Sequence, residues 1–106
     1  MPQPADHRSY ERRTVVVEVS AWSLVQATEL VSGTTVDIGE GGVLLRLPGL
    51  SEAAVRLELR LAFAGRPLVV RGNVVRREPP DLVAVAFDTL DASERGRLLD
   101  FIRAAL

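Results

Sequence analysis

Apolar side chains recur at every second position through most of the chain, beginning near Thr14. In TVVVEV, Val15, Val17 and Val19 share one face and Thr14, Val16 and Glu18 the other, which is the period of a half-buried strand. The alternation is cleanest in VRLELRLAF, which predicts Val55, Leu57, Leu59, Leu61 and Phe63 inward and Arg56, Glu58 and Arg60 outward. Between these two runs, TTVDI and VLLRL read as short strands on either side of the glycine-rich segment GEGG, the second ending at Pro48 and Gly49. After the AGRP turn, PLVVRGNVVRRE returns as a long strand with Gly72 as a bulge or crossing point, and LVAVAFD follows Pro79 and Pro80 to complete a meander. The stretch AWSLVQATELVSG suits either a bent strand with a turn or a short helix and is taken as a mainly extended connection.

The period changes at the end of the chain. Asp91 followed three residues later by Glu94 has the form of a helix capping box, and Leu98, Leu99, Ile102, Ala105 and Leu106 then repeat at helical spacing, predicting a helix over about 91–105. The first thirteen residues, polar and carrying Pro2 and Pro4, show no apolar period and read as a flexible leader to a domain spanning 14–106. About six short strands and one helix predict an all-β fold, a small six-stranded antiparallel barrel of split or Greek-key type with a C-terminal α-helix. Closure removes the exposed edges that such strands would otherwise present.

Composition narrows the chemistry. At 106 residues, with 47% hydrophobic and 25% charged positions, the chain has the balance of one globular domain. The absence of cysteine removes disulfides, thiolate nucleophiles and cysteine-ligated zinc, and fits cytoplasmic residence. No apolar run reaches the roughly 20 residues of a membrane-spanning helix, so membrane insertion is not expected. A net charge of −1 lacks the broad positive field of most nucleic-acid binders, and nucleic acid is not an expected partner. His7 is the single histidine and lies in the leader, and there is no lysine, so catalytic triads, histidine metal sites, P-loops and Schiff bases are all out of reach. The acidic residues fall on outward strand positions and turns. We expect no enzyme, no metal and no bound cofactor.

Two segments then stand out together. Arg8-Ser-Tyr-Glu-Arg12 and the adjoining Arg13 lead directly into the first strand, and Asp37-Ile-Gly-Glu-Gly-Gly42 opens the strand VLLRL. In that order and context they resemble the PilZ domain family, which is recognised by R-x-x-x-R before its first strand and D/N-x-S-x-x-G at a later turn of a six-stranded barrel. The resemblance runs from Arg8 to near the C-terminus. It implies a receptor for the bacterial second messenger cyclic di-GMP that couples the nucleotide level to a protein partner, in motility or biofilm regulation. Arg8 and Arg12 would hold phosphate or guanine edges with Arg13 as an extra contact, Asp37 would accept from guanine, Gly42 would let backbone approach the ligand, and Gly39 would belong to the same binding turn. Gly39 stands where the family has serine, and Glu40 adds a negative charge within the turn. An alternative is a degenerate PilZ-like adaptor that binds a protein partner without nucleotide. Arg56-Leu-Glu-Leu-Arg60 repeats the arginine spacing inside a strand, where the resemblance assigns it no role.

Overall fold

A computed structural model describes residues 12–25, 30–63 and 66–104. Seven strands and a helix follow one another: β1 (Arg12–Thr14), β2 (Glu18–Ser23), β3 (Leu30–Gly39), β4 (Gly42–Arg46), β5 (Arg56–Leu61), β6 (Leu68–Glu78), β7 (Leu82–Phe87) and α1 (Ala92–Ala104). All pairings are antiparallel. Strands β2, β3, β4, β7, β6 and β5 pair in turn, and β5 returns to β2, so six staves close into the expected barrel. The seventh ladder strand, β1, lies along the same side of β3 as β2 and continues that stave beyond a break. β1 begins at Arg12, so two residues expected in the leader are paired backbone.

The break at Val15–Val17 is held from within the barrel. Thr35, only 1% exposed, accepts a hydrogen bond on Oγ1 from the Val17 N–H at 2.9 Å, and its hydroxyl donates to the Val15 carbonyl. The Thr35 N–H donates to the Val17 carbonyl at 2.9 Å. Buried polar groups of an interrupted strand need such partners. Opposite the break, β3 carries an irregularity between Thr35 and Asp37 against β4. The valine alternation was therefore read correctly as burial, with Val15 and Val19 inside and Val16 72% exposed. It was not one continuous strand, because one more residue on this stave than on β3 has to be accommodated there.

Two further expectations are corrected, and a third that left two possibilities open is resolved. The stretch expected as a connection is a hairpin, β2 reaching Ser23 and β3 starting at Leu30, because Val19, Ala21 and Val31 supply inward positions across the pair. Val55 is 51% exposed and Ala54 is buried instead. The chain reaches β5 only at Arg56, and the residues before it are drawn aside by Arg77, whose guanidinium donates to the carbonyls of Leu50, Ser51 and Ala54 at 3.3, 2.7 and 2.9 Å. Gly72 is a crossing point and not a bulge: a Cβ there would lie 2.3 Å from the Ala86 carbonyl oxygen, while the register of β6 shifts later, between Val74 and Arg76.

The core gathers alternating residues from every barrel strand, among them Val19, Ile38, Leu45, Leu59, Val70 and Val85. Helix α1 adds Leu98 and Ile102, both fully buried, and stacks Phe101 on Phe63 with ring centroids 3.8 Å apart. Its first turn is capped as the sequence predicts. The Glu94 N–H donates to Asp91 Oδ1 at 2.7 Å, and the Asp91 N–H donates to Glu94 Oε1 at 3.0 Å. Arg97 then ties the helix to the β5–β6 connection through the carbonyls of Arg66 and Pro67.

Candidate functional site

Register brings the two motifs side by side. Arg12 pairs with Gly39, Arg13 with Ile38 and Thr14 with Asp37. Continued in the register of β2, where Glu18 pairs with Thr34, Gly39 would have met Arg13, so the break at 15–17 selects Arg12 as its partner. Arg8 and the residues before Arg12 lie outside the described residues.

The turn itself is a tight hairpin in which Glu40 and Gly41 join β3 to β4. Its glycines do not all serve the same purpose. Among the described glycines only Gly49 has positive φ, so a left-handed conformation is not what the turn asks of its glycines. A Cβ on Gly42 would come within 2.4 Å of the Val85 carbonyl oxygen, because β4 and β7 cross tightly there. Gly41 faces open space, and its carbonyl accepts from the Phe87 N–H at 2.9 Å, fixing the turn to β7. Gly39 is buried.

Asp37, half-buried, opens onto a cleft of about 370 Å³ shared with Gly41, Gly42, Val75 and Arg76. Its far wall was not foreseen. In the sequence, Val75 belongs to an ordinary apolar run, and only the register shift in β6 leaves it 63% exposed beside the turn. Arg76 brings a guanidinium to the same wall, with its Nε 3.4 Å from Glu78 Oε2. Arg95 of α1 is the other unforeseen neighbour: its Nε lies 3.4 Å from Glu40 Oε2, which sets a positive charge against the acid of the turn. No local sequence signal connects a helix position to a turn 55 positions earlier. The cleft thus joins one forked cation, Arg76, with a carboxylate and close-set backbone, groups that can meet a flat, hydrogen-bonding anion.

The competing arginine pair is otherwise engaged. Arg56 makes two hydrogen bonds to Asp88, at 3.0 and 2.9 Å, and one to Asn73 at 3.2 Å. This hydrogen bonding, with the attraction between the charges, raises the Arg56 pKa and holds that of Asp88 below the usual carboxylate range. Arg60 lies over the Trp22 ring, 6.0 Å from its centroid. Among the described residues no cluster of histidine, aspartate and glutamate is grouped to hold a metal ion, and no helix is long and apolar enough to cross a membrane.

The PilZ domain family matches residues 6–104 of the chain. Solved structures with the same fold include the PilZ domain of CeSA from a cellulose-synthesizing bacterium, with a TM-score of 0.75 at 12% identity over 90% of this chain and 97% of that one. The Bacillus subtilis inhibitor of motility (MotI/DgrA) gives a TM-score of 0.75 at 20% identity, over 92% of this chain and 50% of that one. The PilZ domain of YcgR from Escherichia coli, solved with cyclic di-GMP, gives 0.69 at 12% identity over 92% and 93% of the two chains. No curated protein matches the sequence.

Proposed function

Since the chain belongs to the PilZ domain family, a family that binds cyclic di-GMP, we propose that it is a cytoplasmic cyclic di-GMP receptor that passes the nucleotide signal to a protein effector. It acts by binding and catalyses nothing. The observation that carries this proposal is the register of β1 on β3, which makes neighbours of the arginine motif and the Asp37–Gly42 turn. Arg8, Arg12 and Arg13 supply forked donors to phosphate or to guanine O6 and N7. Asp37 accepts from the donor edge of guanine, and Gly39 and Gly42 admit the ligand close to the backbone. Val75 and Arg76 close the opposite side of the cleft.

Calorimetric titration of the chain with cyclic di-GMP tests this. Saturable heat is expected, weakened at least about tenfold in Arg8→Ala or Arg12→Ala, while Arg60→Ala, outside the site, leaves it unchanged. Equal losses in all three would show that the wrong arginine pair had been assigned.

A second reading, an adaptor that engages its partner without nucleotide, is favoured by one feature: Gly39 replaces the family's serine, so one hydroxyl donor is missing from the turn. Absence of both heat and thermal shift with the nucleotide would decide for it.

A further inference from the structure

Nearly every described arginine has its guanidinium occupied. Arg46 pairs with Asp81, Arg56 with Asp88, Arg71 with Glu58, Arg76 with Glu78 and Arg95 with Glu40. Arg77 and Arg97 are satisfied by backbone carbonyls, and Arg103 has a partner of its own. Among the arginines whose side chains are described, Arg60 and Arg66 have neither an acidic nor a carbonyl partner. Both are exposed, and both line the same open cleft of about 670 Å³ on the outer face of the barrel.

The register organises the floor of that cleft. Ser32, Ser20 and Arg60 form one row of it across β3, β2 and β5, and Leu30, Trp22 and Glu58 form the neighbouring row of the same face, outside the cleft's lining. Arg60 is held over the Trp22 indole, which orders its guanidinium without neutralising it. Glu58 is already paired with Arg71 at 3.1 Å. The remaining acid, Glu18, lines the cleft opposite Thr34, in the row next to Ser20 and Arg60 on the side away from Trp22, and leaves two cations to one acid there. Beside the charges stand Trp22, half-buried, and Leu30, an apolar side chain 53% exposed on the outer face. Arginine and tryptophan grouped on a shelf with unused hydroxyl donors are the residue types that dominate protein interfaces.

We propose that this face docks an acidic segment of a protein partner. Its carboxylates meet the forks of Arg60 and Arg66, and an apolar side chain beside them covers Trp22 and Leu30. The cleft uses the Ser32–Thr34 end of β3, whereas the nucleotide site uses the Asp37–Gly39 end, so the two surfaces share a strand but no residue. The proposal does not depend on nucleotide binding.

Trp22 is the only tryptophan in the chain, so its fluorescence reads this face directly. The full chain is titrated with a short peptide of alternating glutamate and leucine, with a lysine–leucine peptide of equal length, and with phosphatidylglycerol vesicles, while amide shifts are followed at Ser20, Ser32 and Arg60. The glutamate peptide should give a saturable change that weakens by about tenfold or more in Arg60→Glu and in Arg66→Glu. Arg12→Ala should weaken cyclic di-GMP binding and leave peptide binding, and Arg60→Glu should weaken peptide binding and leave the nucleotide. Both charge reversals lie at exposed positions, and unchanged thermal melting confirms that they fold. No response to the glutamate peptide, an equal response to the lysine peptide, undiminished binding by both variants, or a response to vesicles alone would each overturn the proposal.

Discussion

Gly42 and Gly41 are neighbours in one turn, yet only the first should resist substitution. Gly42→Ala drives a methyl group against the Val85 carbonyl, rigid backbone that cannot swing aside, and should lower stability by about 1–3 kcal/mol or more in urea denaturation. Gly41→Ala meets nothing within 4 Å and should be close to neutral. A buried hydroxyl has comparable leverage. Thr35→Val leaves the Val17 N–H and the Val15 carbonyl without the side-chain partner that joins them, and should cost about 1–3 kcal/mol. If it also lets β1 slip, cyclic di-GMP affinity should fall with it. Gly39→Ser, restoring the hydroxyl of the family pattern, should tighten the nucleotide by up to about tenfold by calorimetry, provided that buried position accepts the side chain.

At the level of the element, α1 was the most legible part of the chain. Its start is written in Asp91 and Glu94, and its inward face in Leu98 and Ile102, because capping and helical period are both local. Asp91→Ala should reduce thermal stability by about 1 kcal/mol. The strands β5 and β7 were legible for the same reason, alternation on one face being a local consequence of the pleat. The hairpin of β2 and β3 was not, since Trp22 and Leu30 on its outer face break the polar side of the pattern. The bulge in β6 was hidden because nothing in NVVRRE distinguishes Val75 from a buried valine before β7 sets the register.

Over the whole molecule, long-range polar contacts bind the strand ends that the alternation leaves free. Arg56 on β5, Asn73 on β6 and Asp88 just after β7 form one such tie. Because the Asp88 pKa is lowered in the fold, its contribution is present above the unfolded carboxylate pKa and is lost as pH falls through the folded value. Asp88→Asn should therefore melt below the wild type at neutral pH, and the gap should close as pH drops below the usual carboxylate range. A gap that persisted at acid pH would place the effect in packing instead of charge. Being a surface pair, it should also weaken with added salt.

The sequence by itself determined the barrel class, the terminal helix and the two segments of the PilZ pattern, because alternation, capping and motif spacing are carried by residues close together in the chain. Only the tertiary structure decided what those segments meet. The break at Val15–Val17 sets Arg12 and not Arg13 opposite Gly39, Arg95 arrives against Glu40 from the helix, and Val75 turns outward to wall the cleft. It likewise decided which arginines keep their charge unspent. Each of these follows from closing a sheet upon itself, which fixes register between strands distant in sequence, and no local pattern of residues carries that information.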